Sequence, residues 1–176
     1  MKSVLSKLRI LLAEFWGARI GKGCTLDKGL DISNFSNVVL GTNSILYKNC
    51  TIYNSKHGIF KLGDNSHVAP YGYFLIDQNK VEIGNDVAIG PFCSFFCHSN
   101  NYSGNERLFR KNYLDGDIKI GSNVFIGAQC VIQPGTIIED DVIVAANSVV
   151  KGKIESGFIY GGSPAKKIKP VYDQGE

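Results

Sequence analysis

Three histidines, His57, His67 and His98, are the side chains best suited to exchange a proton near neutral pH. His98 stands three residues after Phe95, a member of a regular apolar series, at the point where that series breaks off. His57 lies in a short insertion and His67 directly precedes Val68, so both read as surface or hydrogen-bonded histidines. The five cysteines are odd in number and form no CxxC pair, which favours neither a disulfide framework nor a metal site. Cys97 next to His98 could form a nucleophile–base pair, but no reactivity motif surrounds it and packing is the plainer reading. Near the C-terminus, Lys151, Lys153, Lys166, Lys167 and Lys169 offer positive charge suited to phosphate groups, or a solvated face.

The elements that must position these residues are written as a repeat of six. Ile120, Ile126, Ile132, Ile138, Val144 and Val150 follow one another at a spacing of six. The same register appears upstream in Ile83–Ile89–Phe95, Leu62–Val68–Phe74, Leu40–Leu46–Ile52 and Ile20–Leu26–Ile32. Small or β-branched residues stand two positions before these anchors, among them Cys24, Cys50, Cys93 and Cys130, which read as small core hydrophobes. Strict alternation would point to an antiparallel sheet. A period of six instead means a short strand and a turn, repeated, with every third strand stacked on the first. Successive coils begin 18 residues apart, or 18 plus a small insertion, except between Ile83 and Ile120. That exception holds about one extra coil's length of non-repeating chain, over 99–117. Such a solenoid of about six coils is stabilised by nearest-neighbour stacking, each inward aliphatic contributing on the order of 1.5–3 kcal/mol.

Bulk properties agree with one domain. The chain has 176 residues, 44% hydrophobic and 20% charged, which excludes disorder. A net charge of +3 is too mild to suggest nucleic acid as a partner. Val4, Leu5, Leu8, Leu11, Leu12 and Phe15 recur at helical spacing, so residues 1–17 read as an amphipathic helix capping the solenoid. A membrane-interfacial helix over residues 2–16 is the competing reading, because Lys2, Lys7 and Arg9 lie among the apolar residues. Lys7, Arg9 and Glu14 interrupt any signal-peptide core, and no segment approaches the ~20 apolar residues of a membrane span. The cytoplasm is the expected compartment.

The stretch Ile118–Lys169, ending in GGSPAKKIK, resembles the C-terminal half of the hexapeptide-repeat acetyltransferases, including galactoside, maltose, xenobiotic and capsular-polysaccharide O-acetyltransferases. The resemblance implies an all-β, left-handed parallel β-helix over 18–160, followed by a basic tail over 161–176. It also makes the non-repeating chain over 99–117 an extruded loop, and implies a homotrimer with active sites between subunits and acetyl-CoA lying in a groove between two chains. His98 then corresponds to the general base, with Asn100 where many relatives carry a second histidine. Ala128 and Ala146 match positions that border pantetheine, and Lys151, Lys166 and Lys169 match contacts to the phosphates of CoA. Asp77 and Tyr102 are candidates for the acceptor, with Tyr71 and Tyr73 as further aromatic surfaces; no metal is required. The expected activity is O-acetylation of a sugar or polysaccharide-precursor hydroxyl. The alternatives are N-acetylation of an amino sugar, a γ-carbonic-anhydrase-like protein using three histidines around zinc, and a non-catalytic scaffold.

Overall fold

A computed structural model describes residues 4–101 and 107–172, and in it the repeat closes into a triangular parallel β-helix. The first face stacks seven strands from Arg19–Ile20 to Lys153–Ile154. The second runs from Thr25–Leu26 to Phe158–Gly161 and the third from Asp31–Ile32 to Val149–Val150. Pairing between coils is parallel and brings like positions together, as in Ile83 with Ile120 and Phe95 with Ile132. The core is the column of repeat aliphatics, reinforced by Phe60, Phe74 and Phe95; Phe74 stacks on Phe95 at 4.5 Å. Cys24, Cys50, Cys93 and Cys130 fill the inward slot beside them, all buried.

Each coil must turn sharply at its corners. Asn43, Asn65, Asp86, Asn123 and Asp141 take left-handed backbone there, which short polar side chains tolerate. Gly127 has a different reason: a Cβ at this position would sit 2.5 Å from the backbone nitrogen of Ala146 on the next coil.

Helix Val4–Phe15 does cap the solenoid, but with the opposite face from the one its apolar spacing suggests. Ser6 and Ala13 are the residues it buries. Ser6 Oγ accepts the Leu26 N–H at 3.1 Å, and Arg9 donates to the Leu26 carbonyl at 3.2 Å. The N–H groups of Thr25 and Asp27 bond toward the second coil, so those of Leu26 face the open edge, where the helix satisfies them. Small side chains permit this close approach. Val4, Leu5, Leu8, Leu11, Leu12 and Phe15 consequently point outward. No described helix is long and apolar enough to cross a membrane.

The extruded segment leaves the fourth coil after Cys97. His98–Asn100 pairs antiparallel with Tyr113–Asp115, and a short 3-10 turn spans Phe109–Lys111. The coil resumes at Ile118, paired with Val81. At the far end the basic tail is partly ordered as a strand: Lys166–Pro170 turns back antiparallel on Phe158–Gly161.

Candidate active site

His98 begins the stem of the extruded hairpin, at the corner between the third and first faces. Its register partner is Asp115, and the side chains meet with His98 Nδ1 2.7 Å from Asp115 Oδ1. The hydrogen bond from His98 is the main force holding the Asp115 carboxyl below the usual carboxylate range, with Asn79 adding to it. An ionised carboxylate can only accept, so Nδ1 carries the proton in the neutral ring and Nε2 presents a lone pair. Asn79 Nδ2 donates to Asp115 Oδ1 and to the Cys97 carbonyl, each at 3.3 Å, fixing the carboxylate to the body of the coil. Tyr113 covers one face of the imidazole, ring centroids 4.7 Å apart. Tautomer, orientation and a packed face are thus all specified.

His98 borders an open cleft of about 310 Å³, lined also by Ser33, Tyr53, Asn54, Ser55, Leu75 and Asp77. Asp77 therefore stands beside the histidine. Its backbone is left-handed at φ 50°, and its carbonyl accepts the Ser55 N–H at 2.8 Å. Asn54 is buried and locked to the backbone of Asn34 by two hydrogen bonds of 3.0 and 2.8 Å, so this wall is rigid. Tyr102 lies outside the described residues. Tyr71 stacks on Phe92 at another corner, and neither Tyr71 nor Tyr73 lines the cleft. Asp115, Asn79, Tyr113 and Asn54 are additions to the expected set. The usable signal for Asp115 is its position at the return of the extruded loop.

The residues expected near CoA are distributed over two corners. Ala128 and Ala146 stack on consecutive coils between the second and third faces, where the Asn147 N–H bonds the Ala128 carbonyl at 2.9 Å. Lys151 follows the last strand of the third face, on the same corner as His98 but two coils beyond it. Lys166 and Lys169 lie on the exposed terminal strand. Among the described residues these three lysines have no ion-pair partner, whereas Lys153 pairs with Glu139 at 2.7 Å and Lys167 with Glu155. Within one chain the third face separates Ala128 and Ala146 from His98.

The other candidate chemistry is placed elsewhere. Cys97 is buried, and burial pushes its thiol up to about 12, so it supplies no thiolate beside His98. His57 is exposed, and His67 is half-buried with its ring edge-on to Tyr47, burial lowering its pKa. Among the described residues no three His, Cys, Asp or Glu side chains are grouped as metal ligands.

Comparisons with known proteins agree with this architecture. The bacterial transferase hexapeptide (six repeats) family matches residues 117–152. Galactoside O-acetyltransferase of Escherichia coli (strain K12) is 29% identical over 120 residues, covering 65% of the chain and 59% of that enzyme, so the match spans about three-fifths of this relative's length. The dTDP-4-amino-4,6-dideoxy-D-glucose acyltransferase of Escherichia coli is 26% identical over 165 residues, covering 90% and 85%. Among solved structures, a serine-to-alanine mutant of AntD, an N-acyltransferase from Bacillus cereus, in complex with dTDP-4-amino-4,6-dideoxyglucose and coenzyme A, superposes with a TM-score of 0.84 at 25% identity, covering 99% and 94% of the two chains. The repeat, the extruded hairpin and these relatives agree, and the chain is similar in sequence and fold to the hexapeptide-repeat acyltransferases.

Proposed function

We propose that this protein transfers an acetyl group from acetyl-CoA to a sugar hydroxyl in the cytoplasm, with His98 as general base. The observation that carries this reading is the His98–Asp115 pair at 2.7 Å, on the border of an open cleft. A hydroxyl is a poor nucleophile until its proton is taken, and a neutral imidazole backed by a carboxylate performs that step. His98 Nε2 removes the proton as the acceptor oxygen bonds to the thioester carbonyl carbon. Collapse of the tetrahedral adduct breaks the C–S bond, and the imidazolium returns the proton to the departing CoA sulfur. Asp115 holds the ring and offsets the transient positive charge. Asp77 and Tyr102 are assigned to the acceptor. Ala128 and Ala146 are assigned to the pantetheine channel, and Lys151, Lys166 and Lys169 to the phosphates of CoA. Because His98 and the two alanines occupy different corners, the site is assembled between chains of a homotrimer.

A second reading, N-acylation of a nucleotide-linked amino sugar, is favoured by a separate observation: the relatives that match along nearly the whole chain act on or bind such sugars. The two readings part at His98. His98→Ala should lower kcat by roughly 10²–10⁴-fold on a hydroxyl acceptor with little change in acetyl-CoA affinity. An amine, far more nucleophilic once neutral, depends less on the base. A panel of sugars and nucleotide sugars, assayed for CoA release with wild type and His98→Ala, tests both. An undiminished rate on hydroxyl acceptors would remove His98 from the chemistry.

A further inference from the structure

The end of the coil stack remote from the basic tail carries a surface that acetyl transfer does not use. Helix Val4–Phe15 lies across the open edge of the first coil with Ser6 and Ala13 inward. At about 100° per residue, the stripe opposite those two is Val4, Leu8, Leu11 and Phe15, flanked by Leu5 and Leu12. All six are exposed, Val4 at 82% and Phe15 at 84%. The Leu26 backbone groups that the helix satisfies point away from the second coil, so this stripe faces outward along the coil axis. A contiguous apolar strip of this kind marks an interaction surface.

Charge at the same end selects the partner. Residues 1–32, the helix and the first coil, contain six Lys and Arg against three Asp and Glu, a net +3, while residues 33–176 contain 13 against 13, a net of zero. Lys7, Arg19, Lys22 and Lys28 are all exposed there. End-to-end pairing of two copies would bring two such positive surfaces together, whereas an anionic bilayer complements both the charge and the apolar strip. We infer that this end docks on an anionic lipid bilayer, the helix lying in the membrane plane with its outward stripe at the headgroup–acyl boundary. Any threefold assembly with parallel coils presents three such helices in one direction, and the contacts then reinforce one another.

The single tryptophan, Trp16, is 55% exposed at the C-terminal end of this helix and serves as an intrinsic probe. The full chain is mixed with vesicles of phosphatidylcholine containing phosphatidylglycerol, and with pure phosphatidylcholine vesicles. The expected result is sedimentation with the anionic vesicles, a blue shift of Trp16 emission, and at least tenfold weaker binding to the neutral ones. Leu8→Glu with Phe15→Glu should reduce binding at least tenfold while the mass by light scattering and the thermal melt stay unchanged. Wild-type protein that remains in the supernatant with anionic vesicles overturns the inference. So does binding by the double variant equal to wild type, or a mass that doubles with concentration through the same stripe. Should the double variant fail to fold, quenching of wild-type Trp16 by brominated lipids decides instead, and absence of quenching is the contrary result.

Discussion

His98 and Asp115 lie 17 residues apart in sequence and meet only because the hairpin stem pairs them. The sequence reveals the histidine's place by phase: counting in sixes from Ile83 through Ile89 to Phe95 puts His98 at the coil's exit. It does not reveal the partner, because Asp115 and Asp117 both flank the return, and the choice rests on hairpin register. In the structure Asp117 accepts the backbone N–H of Lys80 at 2.8 Å instead. If Asp115 positions His98, Asp115→Asn should lower kcat about 10- to 100-fold with both KM values nearly constant. Asp115→Glu should recover part of that loss, because a carboxylate is restored near Nδ1. Full activity in Asp115→Asn would reduce the pair to a surface contact.

At the scale of elements, the hexapeptide period exposes the strands so clearly because each inward position must match its neighbours above and below. Phe74 illustrates the coupling: it is fully buried, stacked on Phe95 and edge-on to Phe60 at 4.9 Å. Phe74→Ala should therefore cost about 3–5 kcal/mol in denaturant unfolding, provided the stack unfolds as one unit. The helix is legible in the sequence as a helix but not in orientation. Its spacing gives an apolar stripe, while the backbone groups of Leu26 select the small Ser6–Ala13 face for packing. The terminal strand is not legible either, since Lys166–Pro170 has the composition of a solvated tail and gains its order from pairing with Phe158–Gly161. Its exposed Lys166 and Lys169 can be reversed in charge without touching the core. Lys166→Glu with Lys169→Glu should weaken acetyl-CoA binding yet spare a truncated thioester donor that lacks the phosphates. Equal losses for both donors, measured by titration and initial rates, would mean that the strand matters to folding and not to CoA.

The whole molecule poses a geometric problem that one chain does not solve. His98 opens on the corner between the third and first faces, whereas Ala128 and Ala146 stack on the corner between the second and third. If Ala128 and Ala146 border pantetheine as proposed, a single acetyl-CoA would have to cross the third face to bring its thioester to the histidine of the same chain. Symmetric packing around a threefold axis removes the difficulty by setting one chain's histidine corner against a neighbour's alanine corner. The third face offers apolar material for such packing, with Tyr73 against both Tyr53 and Phe96. Light scattering should accordingly give about three times the 19.2 kDa chain mass. A mixing experiment goes further. On the proposed assignment, His98→Ala should be nearly inactive for want of a base, and Ala146→Trp should be inactive because its bulk would fill the pantetheine channel. When the two variants are unfolded together and refolded, mixed trimers contain sites that combine an intact histidine from one chain with an open channel from the other, so part of the activity should return. Random assembly allows recovery of at most a minor fraction of wild-type activity, and either variant refolded alone should show far less. A proven mixed trimer without activity would put His98 and Ala146 on the same side of the interface. A fully active monomer would remove the shared site altogether.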